Sequence, residues 1–319
     1  MPGLPNKPVQ VLPIKLYNNT GTATPIPFQQ MITYDVSGNT NIRSDCANVW
    51  FTLYDGSVLK SWLEAVSGTW WIVIPNSIIA NSSVVVYMNI GPATDVYFDG
   101  ITIGCAPQLS ATYGEYDNGA NVFSFYDNFA GTTLKSSWSE YSTVGTITVN
   151  NGLTLSGTGT DYWGLVNSHI VSVPNILECY SEQALSGSYG PIIGTYTGMQ
   201  FEQRTPGGSG VGWGSEGTST GSAVGGSTFT IGGNSAYNVL YLVSGYYVSS
   251  HQSLFTNYST LQDTNTLTIG SSNLIIGTYQ TSTAVFQWVR TRAYPPNGVM
   301  PYALFPQPKE NLILADAVI

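Results

Sequence analysis

The stretch Phe123–Trp138, FSFYDNFAGTTLKSSW, decides how the chain is read. Aromatic and polar residues alternate up to Asp127, a Gly-containing polar turn follows, and Trp138 arrives eleven residues after Asp127. Alternation of period two marks a strand. Such a stretch opens a catalytic domain, a sugar-binding module, or a packing unit that holds a surface together.

Outward from it, the same period dominates. Upstream, QMITYDV (30–36) puts Ile32, Tyr34 and Val36 on one face, and NVWFTLY (48–54) sets Val49, Phe51 and Leu53 against Trp50, Thr52 and Tyr54. TWWIVIP (69–75) and SVVVYMNI (83–90) read as strands buried on at least one side. Downstream, TITVNNGLTLS (146–156) contains a hairpin turn at Asn-Asn-Gly. NILECYSEQAL (175–185), PIIGTYTGMQFEQR (191–204), YNVLYLVSGYYVSS (237–250) and AVFQWVRTRAY (284–294) continue the pattern. Ser57–Val66 reads either as a helix or as a bent hairpin. The Gly- and Ser-rich segment 204–227 is too long for a simple connection, which marks it as mobile or functional. The fold class expected is all-β: two tandem antiparallel β-sandwiches at 1–117 and 118–300, then a tail at 301–319. The apolar tail end NLILADAVI either folds onto its own sheet or adds a strand to a neighbouring subunit.

Composition narrows the function. Of 319 residues only 8% are charged, against roughly 25% in ordinary soluble proteins. Gly, Ser, Thr, Asn and Tyr fill the gap, giving a neutral, hydroxyl-rich skin around a β core. The net charge of −9, with Arg290 and Arg292 as the nearest thing to a basic cluster, argues against nucleic acid. Few carboxylates leave few groups whose protonation would unfold the chain in acid, and the Lys/Glu networks of heat-adapted cytosolic proteins are missing. The setting expected is extracellular, hot and acidic. No apolar run reaches the length of a membrane helix, and MPGLPNKPVQVLPIKLY does not read as a signal peptide. An exterior composition without an export signal leaves two explanations: a signal removed beforehand, or exit from the cell inside a particle.

Three cysteines, Cys46, Cys105 and Cys179, form no C-x-x-C pair, so a zinc site is not expected. Cys46 and Cys105 are the candidate disulfide, closing a loop worth about 4 kcal/mol in the chain-entropy account; two unpaired buried thiols are the alternative. Cys179 reads as a small core residue.

Three segments carry a family resemblance: DCANVWFTLYDGSVLKSWLE (45–64), TWWIVIPNSIIANSSVVVYMNIG (69–91) and APQLSATYGEYDNGANVFSFYDNFAG (106–131). Together they resemble an uncharacterised two-domain arrangement of secreted and surface proteins of thermophilic archaea, some bacteria and their viruses. The resemblance implies a small β-sandwich followed by a concanavalin A-like jelly roll of the lectin/glucanase type. That jelly roll opens with D-[ND]-F…W and closes with W-V-x-x-R-x-Y, here Trp288, Val289, Arg292 and Tyr294. It fixes architecture and carries no activity.

Each candidate chemistry stands beside a plainer reading. Laminarinases and lichenases built on this jelly roll carry E-x-D-x-E on one strand; ECYSE places Glu178 and Glu182 there, with Tyr180 in place of the Asp. Four residues along a strand separate their Cα atoms by roughly 13 Å, whereas retaining glycosidases hold the two carboxyls about 5–5.5 Å apart. The plainer reading is two solvated glutamates beside Tyr180, with Leu177, Cys179 and Leu185 facing the core. His169 and His251, the two histidines, sit near no nucleophile elbow. Glycan stacking would use Trp213, Tyr196, Tyr246 and Tyr247, with Gln200 and Glu202 as polar partners; packing under loops or against a subunit is the alternative. Asp127 and Asn128 are candidate oxygens for a structural calcium, otherwise no cofactor is expected. Asn18, Asn81 and Asn257 begin N-x-[ST] sequons for glycosylation.

The sequence reading is therefore a non-enzymatic structural or adhesive surface protein: a virion capsid, turret, spike or fibre component, or an archaeal cell-surface component. Its expected partners are copies of itself, other surface subunits and host glycans. A secreted carbohydrate-binding protein comes next, and a laminarinase-like glycoside hydrolase third.

Overall fold

The structure, a computed structural model, describes residues 8–140, 145–159, 162–183, 189–196, 199–204, 212–219, 222–223, 229–231, 240–266 and 270–305. Among them, four sheets stack as four layers. The outermost carries Tyr302–Leu304, Gln10–Asn18, Ser82–Ile90, Val49–Thr52 and Val58–Leu59, in that spatial order. Beneath it lie Phe28–Thr33, Thr69–Ile74, Ser61–Ala65 and Ile103–Cys105. The third layer runs Gly145–Val149, Leu153–Gly157, Thr283–Ala293, Asn175–Gln183, Leu240–Tyr247, Gln252–Thr256 and Thr260–Asn265, with Phe125–Asp127 also paired to Thr283–Ala293. The fourth is built on Tyr162–Val171, Ser272–Tyr279, Tyr189–Thr195 and Met199–Arg204. Pairing is antiparallel throughout except between Ser61–Ala65 and Ile103–Cys105, which run parallel. The first two layers make one sandwich and the last two a jelly roll of the expected all-β class.

Alternation explains why three cores form rather than two. In Thr69–Ile74, Trp70, Ile72 and Ile74 enter the first sandwich, while Trp71 points the opposite way. In Asn175–Gln183, Leu177 and Cys179 enter the jelly-roll core. Trp62, Trp71, Val122 and Phe123 then meet Leu242 and Trp288 in a third cluster between the second and third layers. Strands that read as apolar on both faces are buried on both faces.

Two expectations about elements change. Ser57–Val66 is extended: Val58–Leu59 and Ser61–Ala65 belong to different sheets, so the bend at Lys60 carries the chain across the sandwich. Tyr302–Leu304, expected in a separate tail, pairs with Lys15–Tyr17 of the first sandwich and ties the end of the described chain to its start. NLILADAVI lies outside the described residues. The Asn-Asn-Gly hairpin forms as read, with Asn151 and Gly152 both at positive φ (53° and 129°), which the tight connection requires. Segment 204–227 contains the strands Gly212–Ser219 and Ser222–Ala223, so part of it is sheet rather than connection.

The opening stretch is a packing unit. Asp127 is 2% exposed; its Oδ1 accepts from the Phe129 N–H and lies 2.9 Å from Lys135 Nζ. Its Oδ2 accepts from Trp138 Nε1 at 2.8 Å, which explains the eleven-residue spacing. Asn128 Nδ2 donates to Asp117 Oδ2 at 2.7 Å. Asp127 and Asn128 are the calcium candidates, and their oxygens accept from Lys135, Trp138 and the Phe129 and Ala130 N–H groups. Trp138→Phe should strand a buried carboxylate oxygen and lower stability by about 1–3 kcal/mol, read as a shifted urea midpoint at unchanged slope.

Candidate functional site

Glu178 lies on the face of the jelly roll that the first sandwich covers. It is fully buried. Its Oε2 accepts from Arg290 Nε at 2.7 Å; its Oε1 accepts from Ser244 Oγ at 2.8 Å and Arg292 Nε at 3.0 Å, with Arg292 Nη2 2.9 Å away. Register brings these groups together, because Glu178 pairs with Arg290 on one side and Ser244 on the other. Burial pushes the carboxyl upward, but the guanidiniums of Arg292 and Arg290 outweigh it and hold the group at about 2. Such a carboxylate neither donates a proton nor reaches a substrate.

Arg290 links the two sandwiches. Its Nη2 donates to Glu64 Oε2 of the first sandwich at 3.1 Å and lies 2.6 Å from the Tyr258 hydroxyl. The Tyr258 O–H donates to the same Glu64 oxygen at 2.5 Å and Trp71 Nε1 donates to it at 2.7 Å. Four rings enclose the guanidinium, those of Phe123, Trp288, Trp71 and Trp62, with centroids 4.3, 4.5, 4.8 and 5.2 Å from its carbon. A weakly hydrated, planar cation suits such a box better than an ammonium would. Nearby, Asp117 fastens the connecting segment by accepting from Trp62 Nε1, Gly119 N–H, Tyr126 O–H and Asn128 Nδ2, all within 2.9 Å.

The other candidates separate. Glu182 is half-buried and paired in register with Leu240 and Val285; burial pushes its carboxyl up. Between Tyr180 and Ser181 the register against the closing strand slips by one residue, at Gln287. Neither the paired catalytic glutamates nor the solvated pair describes this strand, since Glu178 is sealed and ion-paired. Tyr247 is fully buried against Phe201 in the jelly-roll core, which removes it from any glycan surface. Tyr246 lies between Phe255, tilted at 4.7 Å, and Tyr294, edge-on at 6.0 Å, beside Arg292. Tyr196 is half-buried, its N–H bonded to Asn273 O, and Gln200 is buried on Met199–Arg204. Glu202 and Trp213 fall on the adjacent strands Met199–Arg204 and Gly212–Ser219; their side chains lie outside the described residues.

Two further expectations are corrected. Cys46 and Cys105 are free and buried, the first thiol against Val66 O and the second against Ser110 Oγ, so the two sulfurs face different partners. Burial pushes them up to about 12 and about 11, which keeps both as inert thiols. Asn18 is fully buried, its Nδ2 donating to Thr22 O and Ile78 O, so that sequon cannot carry a glycan in the folded chain. Asn81 and Asn257 are exposed in left-handed turns.

Beside the ionic cluster a cavity of about 260 Å³ opens between the sandwiches, lined by Glu64, Gln108, Tyr180, Leu242, Asn257 and Trp288, among others. Sequence reasoning missed it, because its wall draws on both sandwiches. Among the described residues no cluster of His, Cys, Asp and Glu has a metal-holding arrangement, and no helix is long and apolar enough to cross a membrane.

Comparison with known proteins gives a viral similarity. No protein-family model matches the chain. The chain is 34% identical over 128 residues to uncharacterized protein 562 of Sulfolobus islandicus rod-shaped virus 1; the match covers 38% of this chain and 22% of that protein's length. Solved structures with a similar jelly roll include a β-glucanase of Bacillus licheniformis, at 13% identity and TM-score 0.41, covering 53% of this chain and 97% of that one. The carbohydrate-binding module CBM66 of Bacillus subtilis matches at 12% identity and TM-score 0.39, covering 49% and 96%.

Proposed function

We propose that this chain is a non-enzymatic structural and adhesive module of a virus surface, of the two-domain surface type its sequence resembles. The observation that carries the reading is the fate of Glu178. On the strand whose ECYSE resembles the glucanase motif, this chain buries a carboxylate between two arginines, one of which is bonded to Glu64 of the first sandwich. A face closed in this way serves rigidity rather than turnover. The neutral skin supports display, because contacts made through hydroxyls and amides do not change sign with pH. Similarity to part of a viral protein supports the setting.

Immunogold electron microscopy of purified particles tests the reading. Labelling along the particle or at its ends is the expected result, together with no release of reducing ends from laminarin or lichenan. Antigen confined to the particle-free supernatant, or polysaccharide cleavage abolished by Glu178→Gln, would overturn it.

A further inference from the structure

We infer that the outer face of the first sandwich is a self-association surface, covered sheet against sheet by a second copy of this chain. The inference deepens the surface-module reading and rests on it for its purpose. In the outermost layer Ile14, Leu16, Val86 and Met88 enter the core, and alternation turns their neighbours outward. There Val11, Val85, Tyr302 and Leu304 are each 40–47% exposed. Register joins them into one patch. Lys15 stands between Leu304 and Val85, and Tyr17 stands opposite Tyr302 with the two rings 5.3 Å apart. Cross-strand partners of this kind share a face. Tyr54 extends the patch beside Tyr87, its ring 6.4 Å away, and the far end closes where Tyr97 covers Trp50 at 5.0 Å.

Charge narrows the partner. Lys15 is the sole charged residue in Gln10–Asn18, Ser82–Ile90, Val49–Thr52 and Tyr302–Leu304. Its ammonium lies 5.8 Å from the Tyr17 ring centroid, within cation–π reach, while its stem adds apolar surface. Nucleic acid or an anionic membrane needs several cations, and a basic partner needs carboxylates. These strands offer neither. In a chain carrying −9, a face without carboxylates is also where two copies repel each other least.

Shape and area point to a copy. A regular pleated face is complemented by another such face, about 10 Å away with its strands about 30° off parallel. A second copy supplies one by two-fold symmetry, each presenting the same patch to the other. Two central strands of nine residues, about 30 Å long with neighbours about 4.8 Å away on either side, give a face of roughly 500 Å². Two copies together cover roughly 1,000 Å², the threshold of a specific interface. Covering the exposed valines, tyrosines and leucine drives the pairing.

Sedimentation velocity on the whole chain tests this, from about 5 to about 500 µM, a span that brackets the micromolar affinities of interfaces at the low end of the size range. The expected result is a reversible monomer–dimer equilibrium. Added salt should tighten it, since screening relieves the repulsion between two copies at −9. Val85→Glu and Val11→Glu each place a carboxylate in both halves of the interface, and each should weaken the dimer at least about tenfold, or 1.4 kcal/mol. Both sites are exposed, and a thermal melt confirms that each variant folds. Ile170→Glu, an exposed position on the fourth layer, should change nothing. A monomer at every concentration overturns the inference and gives the face to another partner; if that monomer still labels particles, the surface reading stands. A dimer that neither Val85→Glu nor Val11→Glu weakens also overturns it, because the association then runs through an edge or a terminus.

Discussion

Arg290→Met should cost the fold about 3–5 kcal/mol. The substitution keeps the volume and the apolar stem but strands Glu64 and weakens the hold on fully buried Glu178. Taking charges out of water is expensive, and a buried pair repays that only when geometry and hydrogen bonds are good. Here Arg290 meets two carboxylates and four ring faces, so its removal leaves the penalty without the return. Arg290→Lys should also destabilise, because an ammonium cannot fork between Glu178 and Glu64 while lying flat against the rings. Calorimetry and urea titration check both variants. Because Arg290 bridges the sandwiches, the single unfolding transition expected of the intact chain should divide into two in Arg290→Met. A loss under about 1 kcal/mol, the scale of an exposed ion pair, would contradict the role given to it.

The second large effect is on acid stability. The Glu178 carboxyl lies at about 2, against an ordinary 4.5, because the guanidiniums of Arg292 and Arg290 outweigh the upward push of burial. A carboxyl depressed on folding adds stability that is fully present above its unfolded value and is lost as pH falls through its folded value. At 1.36 kcal/mol per unit the difference is worth about 3 kcal/mol. Urea midpoints should therefore fall between about pH 4.5 and pH 2 on account of this group. Glu178→Gln should be weaker at neutral pH and should lose most of that slope. Equal slopes in the two proteins would show that other carboxylates set the acid limit.

Period-two alternation made the layers legible, since each strand repeats its signal over several residues. Asn150–Gly152 was legible for a local reason: the turn demands positive φ at two adjacent positions, and Asn-Gly supplies it. What lies between layers was not legible. Glu178 reads as a cleft residue or a solvated one because a single strand does not show what surrounds it; Glu64 and Trp71, more than a hundred residues away, pack against the arginines that hold it. One signal was present. In a chain with nine Lys and Arg, two arginines at i and i+2 beside Trp288 on an apolar strand must find buried anions. The paired thiols failed for a similar reason, because membership of one core does not bring two sulfurs into bonding geometry. Asn18 failed because a sequon records three residues and nothing of the turn that buries its amide.

The claim on which everything else rests is that Glu178 is a structural anion, ionised down to about pH 2 and buried between its arginines beneath the first sandwich. Carbon-13 NMR titration of its side-chain carboxyl in the folded chain tests this most directly. An unchanged ionised signal from pH 7 to below pH 3, titrating at about 2, is the predicted result. A carboxyl that takes up its proton above the ordinary 4.5, as the acid of a glycosidase would, contradicts it.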